Sequence, residues 1–182
     1  MENFNWEELK AKLPTTFTAE DKAARHKLWK AMDCNGNGIM SLAEIDKGIR
    51  DNINIEDLFE SKPVIMRAFS AAKIKGHGKG NCSDDFVEWC EFRFLLFFLR
   101  QYAEYFVMFN RVNDGEADKK IDLAQFTDAI PMMTEWGVKI EDPQATFAEI
   151  DTNGGGSIMF QEFSDWAMAK HMDILEDEEE AE

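Results

Sequence analysis

One spacing constrains this chain more than any other. From Asp33 to Glu44 the sequence reads "DCNGNGIMSLAE", with oxygen-bearing side chains at the first, third, fifth, ninth and twelfth positions and glycine at the sixth. A near copy, "DTNGGGSIMFQE", runs from Asp151 to Glu162. Such a loop turns alternate residues inward around one centre, and a hard cation with about six to eight oxygen ligands is what that ring suits. Glycine at the sixth position, Gly38 or Gly156, permits the left-handed turn that other residues resist.

The unit around this loop repeats. With loop ends at Glu44, Glu88, Gln125 and Glu162 the intervals are 44, 37 and 37 residues, and each end precedes an apolar residue: Ile45, Trp89, Phe126 and Phe163. Start and stop signals predict helices on both sides. Asn5, with Glu8, opens a short helix that Pro14 stops, and Thr18 caps a helix through Met32. Ser41 and Glu44 open the helix after the first loop. A helix kinked at Pro131 ends at Trp136-Gly137, and Asp142-Pro143 begins the fourth unit. The expected fold is all-α, with four helix–loop–helix units in two lobes packed into one compact body and a short N-terminal helix. The boundaries fall at 1–17 for that helix, 18–98 for the first pair, 99–172 for the second, and 173–182 for an acidic, disordered tail. The run from Phe86 to Phe109 is apolar on nearly every face and predicts core joining the lobes. Glu91, Arg93, Arg100 and Glu104 form its narrow solvent stripe.

Ligand by ligand, the first loop offers Asp33, Asn35, Asn37, the Ile39 carbonyl, Ser41 and a bidentate Glu44. Two oxygens from the last residue favour calcium (Ca2+) over magnesium (Mg2+), which could still sit there at rest. The fourth loop offers Asp151, Asn153, the Ser157 carbonyl and Glu162. At Gly155 and Met159 backbone or water must serve. About two calcium ions per chain are expected, the first loop binding the tighter.

The third loop is damaged. Counting back from Gln125 gives Asp114, Glu116, Asp118 and Asp122, yet Phe109 and Val112 start the loop at Asn113, so both hold only if it has thirteen residues. Lys119 then takes the glycine place, and Gln125 replaces the closing glutamate. It is read as a solvated acidic loop that pairs with the fourth. The second, "HGKGNCSDDFVE", lacks early acids and is read as a linker. Its "GHGKG" follows no strand and fails the spacing of a phosphate-binding loop.

Composition narrows the function classes. The 182 residues are 45% hydrophobic, enough for a real core, and the formal charge is −16. That acidity argues against nucleic acid and suits cations or basic peptides. Cys34, Cys82 and Cys90 have no disulfide spacing, and the polar start "MENFNWEELK" is no signal peptide. A cytoplasmic setting is expected, and "FLLFFL" is too short to cross a bilayer. His26, His77 and His171 stand singly, so the chain does not read as an enzyme.

These residues resemble the EF-hand superfamily. "NWEELKAKLP", "TAEDKAARHKLW", "RAF", "DDFVEWCEFRFLLFF", "AIPMMTEWGVKIEDP" and "FAEIDTNGGGSIMFQEFSDWA" are similar more narrowly to the flagellar calcium-binding proteins (calflagins) of flagellated protozoa. The resemblance covers about Asn5 to Lys170. It implies a compact calcium sensor with four EF-hands, associated with a flagellum or cilium. That family anchors by acylation of a glycine after the initiator methionine; Glu2 stands there, so no acylation signal carries over. The family binds calcium mainly through its third and fourth hands, whereas here the first is intact.

A sensor needs calcium to favour a state that shows apolar surface to a protein target. Met132-Met133 and Met168-Met172 are candidates for that surface, or else core filler. The alternatives are a calcium buffer without a target and a constitutive scaffold with mostly structural hands.

Overall fold

The computed structural model describes residues 5–59, 61–76, 85–116 and 118–172, and their regular structure is overwhelmingly helical. Most of the second loop (77–84) and the acidic tail (173–182) lie outside the described residues. The chain divides into two compact units, Met1–Ala103 and Glu104–Glu182.

In the first unit, short polar side chains set the helix starts by accepting N–H groups that the first turn leaves unpaired. Asn5 caps α1 (Trp6–Lys12) and Thr18 caps α2 (Ala19–Met32). Ser41 caps α3 (Leu42–Gly48) in a reciprocal box with Glu44. Arg25 on α2 is buried and donates to the carbonyls of Pro14 and Thr16 at 3.1 and 2.6 Å, fixing the segment that follows α1. Gly48 is a contact glycine: a Cβ there would lie 2.6 Å from Met32 Cγ, so α2 and α3 meet through its missing side chain. A π-helical turn over Ile49–Ile53 follows, then α4 (Glu56–Phe59) and α5 (Lys62–Gly76).

Two short strands tie the unit's loops together. β1 (Ile39–Ser41) pairs antiparallel with β2 (Phe86–Glu88), matching Ile39 to Glu88, Met40 to Val87 and Ser41 to Phe86. This register corrects the repeat. Met40 precedes Glu44 by the same interval as Val87 precedes Glu91, so the second hand closes at Glu91, not Glu88. Trp89 misled because it copies the apolar residue after each loop end. The true counterpart of Ile45 is Phe92, and both are fully buried.

α6 (Trp89–Val112) begins in the first unit and passes into the second at Glu104. Phe92, Leu95, Leu96, Leu99, Tyr105 and Phe109 on it are buried, as its apolar character requires. Its charges divide, however. Glu91 and Glu104 are buried rather than solvent-facing, whereas Arg93 and Arg100 are partly exposed. Arg93 lies 4.0 Å over the Phe17 ring and donates to the Thr15 carbonyl.

The second unit repeats the plan with β3 (Lys120–Ile121), α7 (Leu123–Asp128), α8 (Ile130–Glu135), α9 (Pro143–Ile150), β4 (Ile158–Met159) and α10 (Phe160–Ala169). Ile121 pairs with Ile158 and Lys120 with Met159. Asp142 caps α9, and Pro143 occupies its start. The expected kink at Pro131 is a full break at Ala129 between α7 and α8. Proline then sits in the first turn of α8, where its missing N–H does no harm. Aromatic edges fill the core: Phe126 meets Phe147 at 5.8 Å and Trp166 at 6.1 Å, and Phe163 meets Phe109 at 5.8 Å. Met133 and Met172 are wholly buried, and Met132 and Met168 half-buried. No helix among the described residues is long and apolar enough to cross a membrane.

Candidate metal centres

The first loop begins where α2 ends, the Asp33 N–H still donating to the Trp29 carbonyl at 2.8 Å. Asp33 then turns inward: Oδ2 accepts the Gly38 N–H at 3.0 Å, a contact that Gly38 reaches with φ +81°. Asn35 Oδ1 accepts the Asn37 N–H and Asn37 Oδ1 accepts the Ile39 N–H, so the third and fifth positions curl the backbone in successive turns. At the far end Glu44 Oε2 accepts both the Ser41 N–H and the Ser41 hydroxyl, at 3.0 and 2.9 Å. Asn35 Nδ2 donates to Glu44 Oε1 at 2.6 Å and closes the ring. Asp33, Asn35, Asn37, Ser41 and Glu44 are thus gathered, and Ile39 enters β1 opposite Glu88. Asp33 Oδ1 is buried and has no hydrogen-bond partner.

The fourth loop has the same frame with different fillers. Asp151 accepts the Gly155 and Gly156 N–H groups on its two oxygens, at 3.0 and 2.8 Å. Glu162 is buried, and its Oε1 accepts from the Asn153 backbone N–H, the Asn153 amide at 2.6 Å and the Thr152 hydroxyl at 3.1 Å. Its Oε2 accepts the Met159 N–H. Thr152 stands at a position that the spacing rule turns outward, so nothing in the sequence pattern flagged it. Ser157 is half-buried, and Gly155 contributes backbone alone.

The donor set fits a hard cation. Each loop brings two carboxylates joined by amide and carbonyl oxygens, with a hydroxyl at Ser41 in the first loop alone, and no nitrogen or sulfur donor is needed. In keeping with that mixed supply, no cluster of three or more His, Cys, Asp or Glu side chains occurs among the described residues.

In the other two hands, among the described residues, the chain's own donors occupy the closing positions. In the third, Ile121 in β3 fixes the count: Lys119 takes the glycine place with φ +56°, one residue later than a twelve-residue loop from Asn113 allows. The loop therefore has thirteen residues. Asn113 Nδ2 donates to Asp118 Oδ1 and the Lys120 carbonyl, at 3.2 and 2.5 Å. Gln125 Nε2 donates back to the Asn113 carbonyl, and Lys119 Nζ to Asn110 Oδ1. Asn113 Oδ1 is also unpartnered, but it is neutral, and burying it is far less costly than burying a charge. In the second hand Glu91 carries both oxygens to Lys73 Nζ, each at 2.9 Å. Neither Lys73 nor the role of Asn113 was visible in the loop spacing.

Residues 9–99 match the FCaBP EF-hand domain family. The chain is 35% identical over 97% of its length to flagellar calcium-binding protein TB-1.7G of Trypanosoma brucei brucei, spanning 78% of that protein. It is 36% identical over 94% of its length to flagellar calcium-binding protein TB-24 of the same organism, spanning 79% of it. To the flagellar calcium-binding protein of Trypanosoma cruzi it is 35% identical over 92% of its length, spanning 80%.

Proposed function

Because this chain belongs to the FCaBP EF-hand family, we propose that it is a calcium sensor of a flagellum or cilium. It takes one ion in each of the Asp33–Glu44 and Asp151–Glu162 loops and engages a protein target. The observation that carries this reading is Asp33 Oδ1, an anionic acceptor removed from water and given no donor. A cation in that loop supplies the missing charge compensation, which burial otherwise makes costly. Calcium fits better than magnesium because Glu44 and Glu162 each present two oxygens to a flexible loop. The chain's part is to shape the ring: Gly38 and Gly156 turn the backbone, and Ser41 positions Glu44.

The relatives' names support the flagellar setting, and the half-buried Met132 and Met168 support the sensor role, whereas Met133 and Met172 fill the core. Flexible thioethers at a helix surface are the kind of apolar reserve that rearrangement of a hand exposes to a target. A constitutive scaffold is the second reading, favoured by the two hands closed from within.

Calorimetric titration with calcium, repeated with magnesium, tests the assignment. About two calcium sites per chain are expected, with Glu44→Gln and Glu162→Gln each removing one. Three or four tight sites, or a Glu44→Gln variant that binds as before, would overturn it. Calcium-dependent binding of a hydrophobic dye separates sensor from scaffold.

A further inference from the structure

We propose that the Lys73 ammonium stands in for a bound cation in the second hand and, through Glu91 and the backbone of Glu88, sets the calcium affinity of the first loop. The inference rests on the assignment of calcium to Asp33–Glu44.

Glu91 occupies the twelfth position of the second hand, where a metal-binding hand gives both carboxylate oxygens to its ion. Here both oxygens accept from Lys73 Nζ, at 2.9 Å each. The pair is hidden from water, with side chains 9% and 2% exposed. A buried carboxylate needs a partner of this kind, since an isolated one is very costly. The fit is built in from α5 as well. Gly76 lies on the same helix, and a Cβ added there would fall 2.5 Å from Glu91 Cγ.

The position of Glu91 propagates. Its Oε2 accepts the Glu88 N–H at 2.9 Å, as Glu44 Oε2 accepts the Ser41 N–H in the first loop. Glu88 is paired in the two-stranded sheet with Ile39, whose carbonyl is the seventh-position ligand of the first loop. Lys73 therefore holds the strand against which that ligand is registered. With its charge supplied by the protein, the second hand stays closed at any calcium level and presents β1 with a fixed partner. Groups that hydrogen-bond a metal's own ligands typically alter its affinity by about tenfold to a hundredfold when lost, and Lys73, acting through Glu91 and Glu88, should reach the lower end of that range.

The test uses the full chain with Glu162→Gln, so that the first loop alone reports by calorimetry. Lys73→Arg keeps a cation and should bind calcium nearly as the parent does. Lys73→Met combined with Glu91→Leu removes both charges together, which avoids stranding one of them. That variant should stay helical by circular dichroism yet bind calcium about tenfold more weakly. In the metal-free chain its Met40 and Val87 amides, at the centre of the strand pair, should exchange hydrogen faster. With Glu44→Gln as background instead, the fourth site should be unmoved by the same pair of changes, which a general loss of stability would not achieve. A double variant within twofold of the parent at the first loop overturns the inference, as does an equal loss at both sites. If Glu44→Gln alone leaves the stoichiometry unchanged, the first-loop assignment falls and this inference with it.

Discussion

Asn35 and Glu44 touch across the first loop, the amide donating to Oε1 at 2.6 Å, and Asn153 repeats the contact on Glu162 at the same distance. The third-position amide thus satisfies the closing carboxylate with an N–H, and must turn its oxygen inward to serve a cation. Replacing it with a carboxylate removes the donor and sets two negative charges together. Asn35→Asp and Asn153→Asp should therefore each tighten calcium binding at their own loop, roughly threefold to tenfold, while destabilising the metal-free chain. Calorimetry and thermal melting with and without calcium check both halves. A variant that gains stability in chelator contradicts the argument.

The first loop should outrank the fourth, and Met159 is the reason easiest to test. Ser41 gives its hydroxyl oxygen to the Glu44 N–H, whereas Met159 has no oxygen to offer the first turn of α10. Met159→Thr adds a cap and a ninth-position oxygen at a partly exposed site, and should raise stability by about 0.5–2 kcal/mol and tighten the fourth site. Gly155→Asp should help too. Its Cβ would lie 2.5 Å from Asn153 Oδ1, so it fits once an ion turns the Asn153 amide away from Glu162. Retention of the weaker titration phase in Glu162→Gln would show the order reversed.

Restoring the closing acid of the third loop should not restore a site. Gln125→Glu deletes the N–H that reaches the Asn113 carbonyl and sets a carboxylate against that oxygen instead. The Asn113 amide still fills the loop, and Lys119 still takes the glycine place. The expected outcome is an unchanged calcium stoichiometry and a loss of roughly 1–3 kcal/mol in stability, read by denaturant unfolding.

Cys90 should be a sluggish nucleophile. Burial pushes its thiol up from the ordinary range, and the carboxylates of Glu91 and Glu88 push in the same direction, Glu88 Oε2 lying 3.8 Å from the sulfur. Less thiolate therefore exists at neutral pH, and alkylation of Cys90 should climb only at more alkaline pH than for an unperturbed thiol. Glu88→Gln should bring that rise to lower pH. Mass spectrometry of peptides after timed iodoacetamide treatment reads it directly.

What the sequence disclosed and what it hid follow a physical divide. Thr18, Ser41 and Asp142 announced their helices because a cap is a bond to a backbone N–H only three residues on. The ring of Asp33 to Glu44 is likewise local, and so was legible. The end of the second hand was not, because Glu88 and Glu91 are both acids followed by an aromatic, and only pairing with a strand far away distinguishes them. Lys73 reaches Glu91 across 18 residues, and no periodicity encodes a bond of that span. The thirteen-residue third loop sat between these cases: two local counts disagreed by one, and the strand register decided for the longer.

Closure of the second hand by Lys73 and of the third by Asn113 shapes the dose–response expected of the proposed sensor. Paired hands that each take an ion can help one another, which steepens occupancy against concentration. A pair with one working loop has no second ion to recruit, so its occupancy follows a simple hyperbola. Passing from one-tenth to nine-tenths full then takes about an eightyfold change in free calcium. Such a molecule grades a rising signal across a broad range, as a rheostat does, and leaves abrupt decisions to whatever it touches.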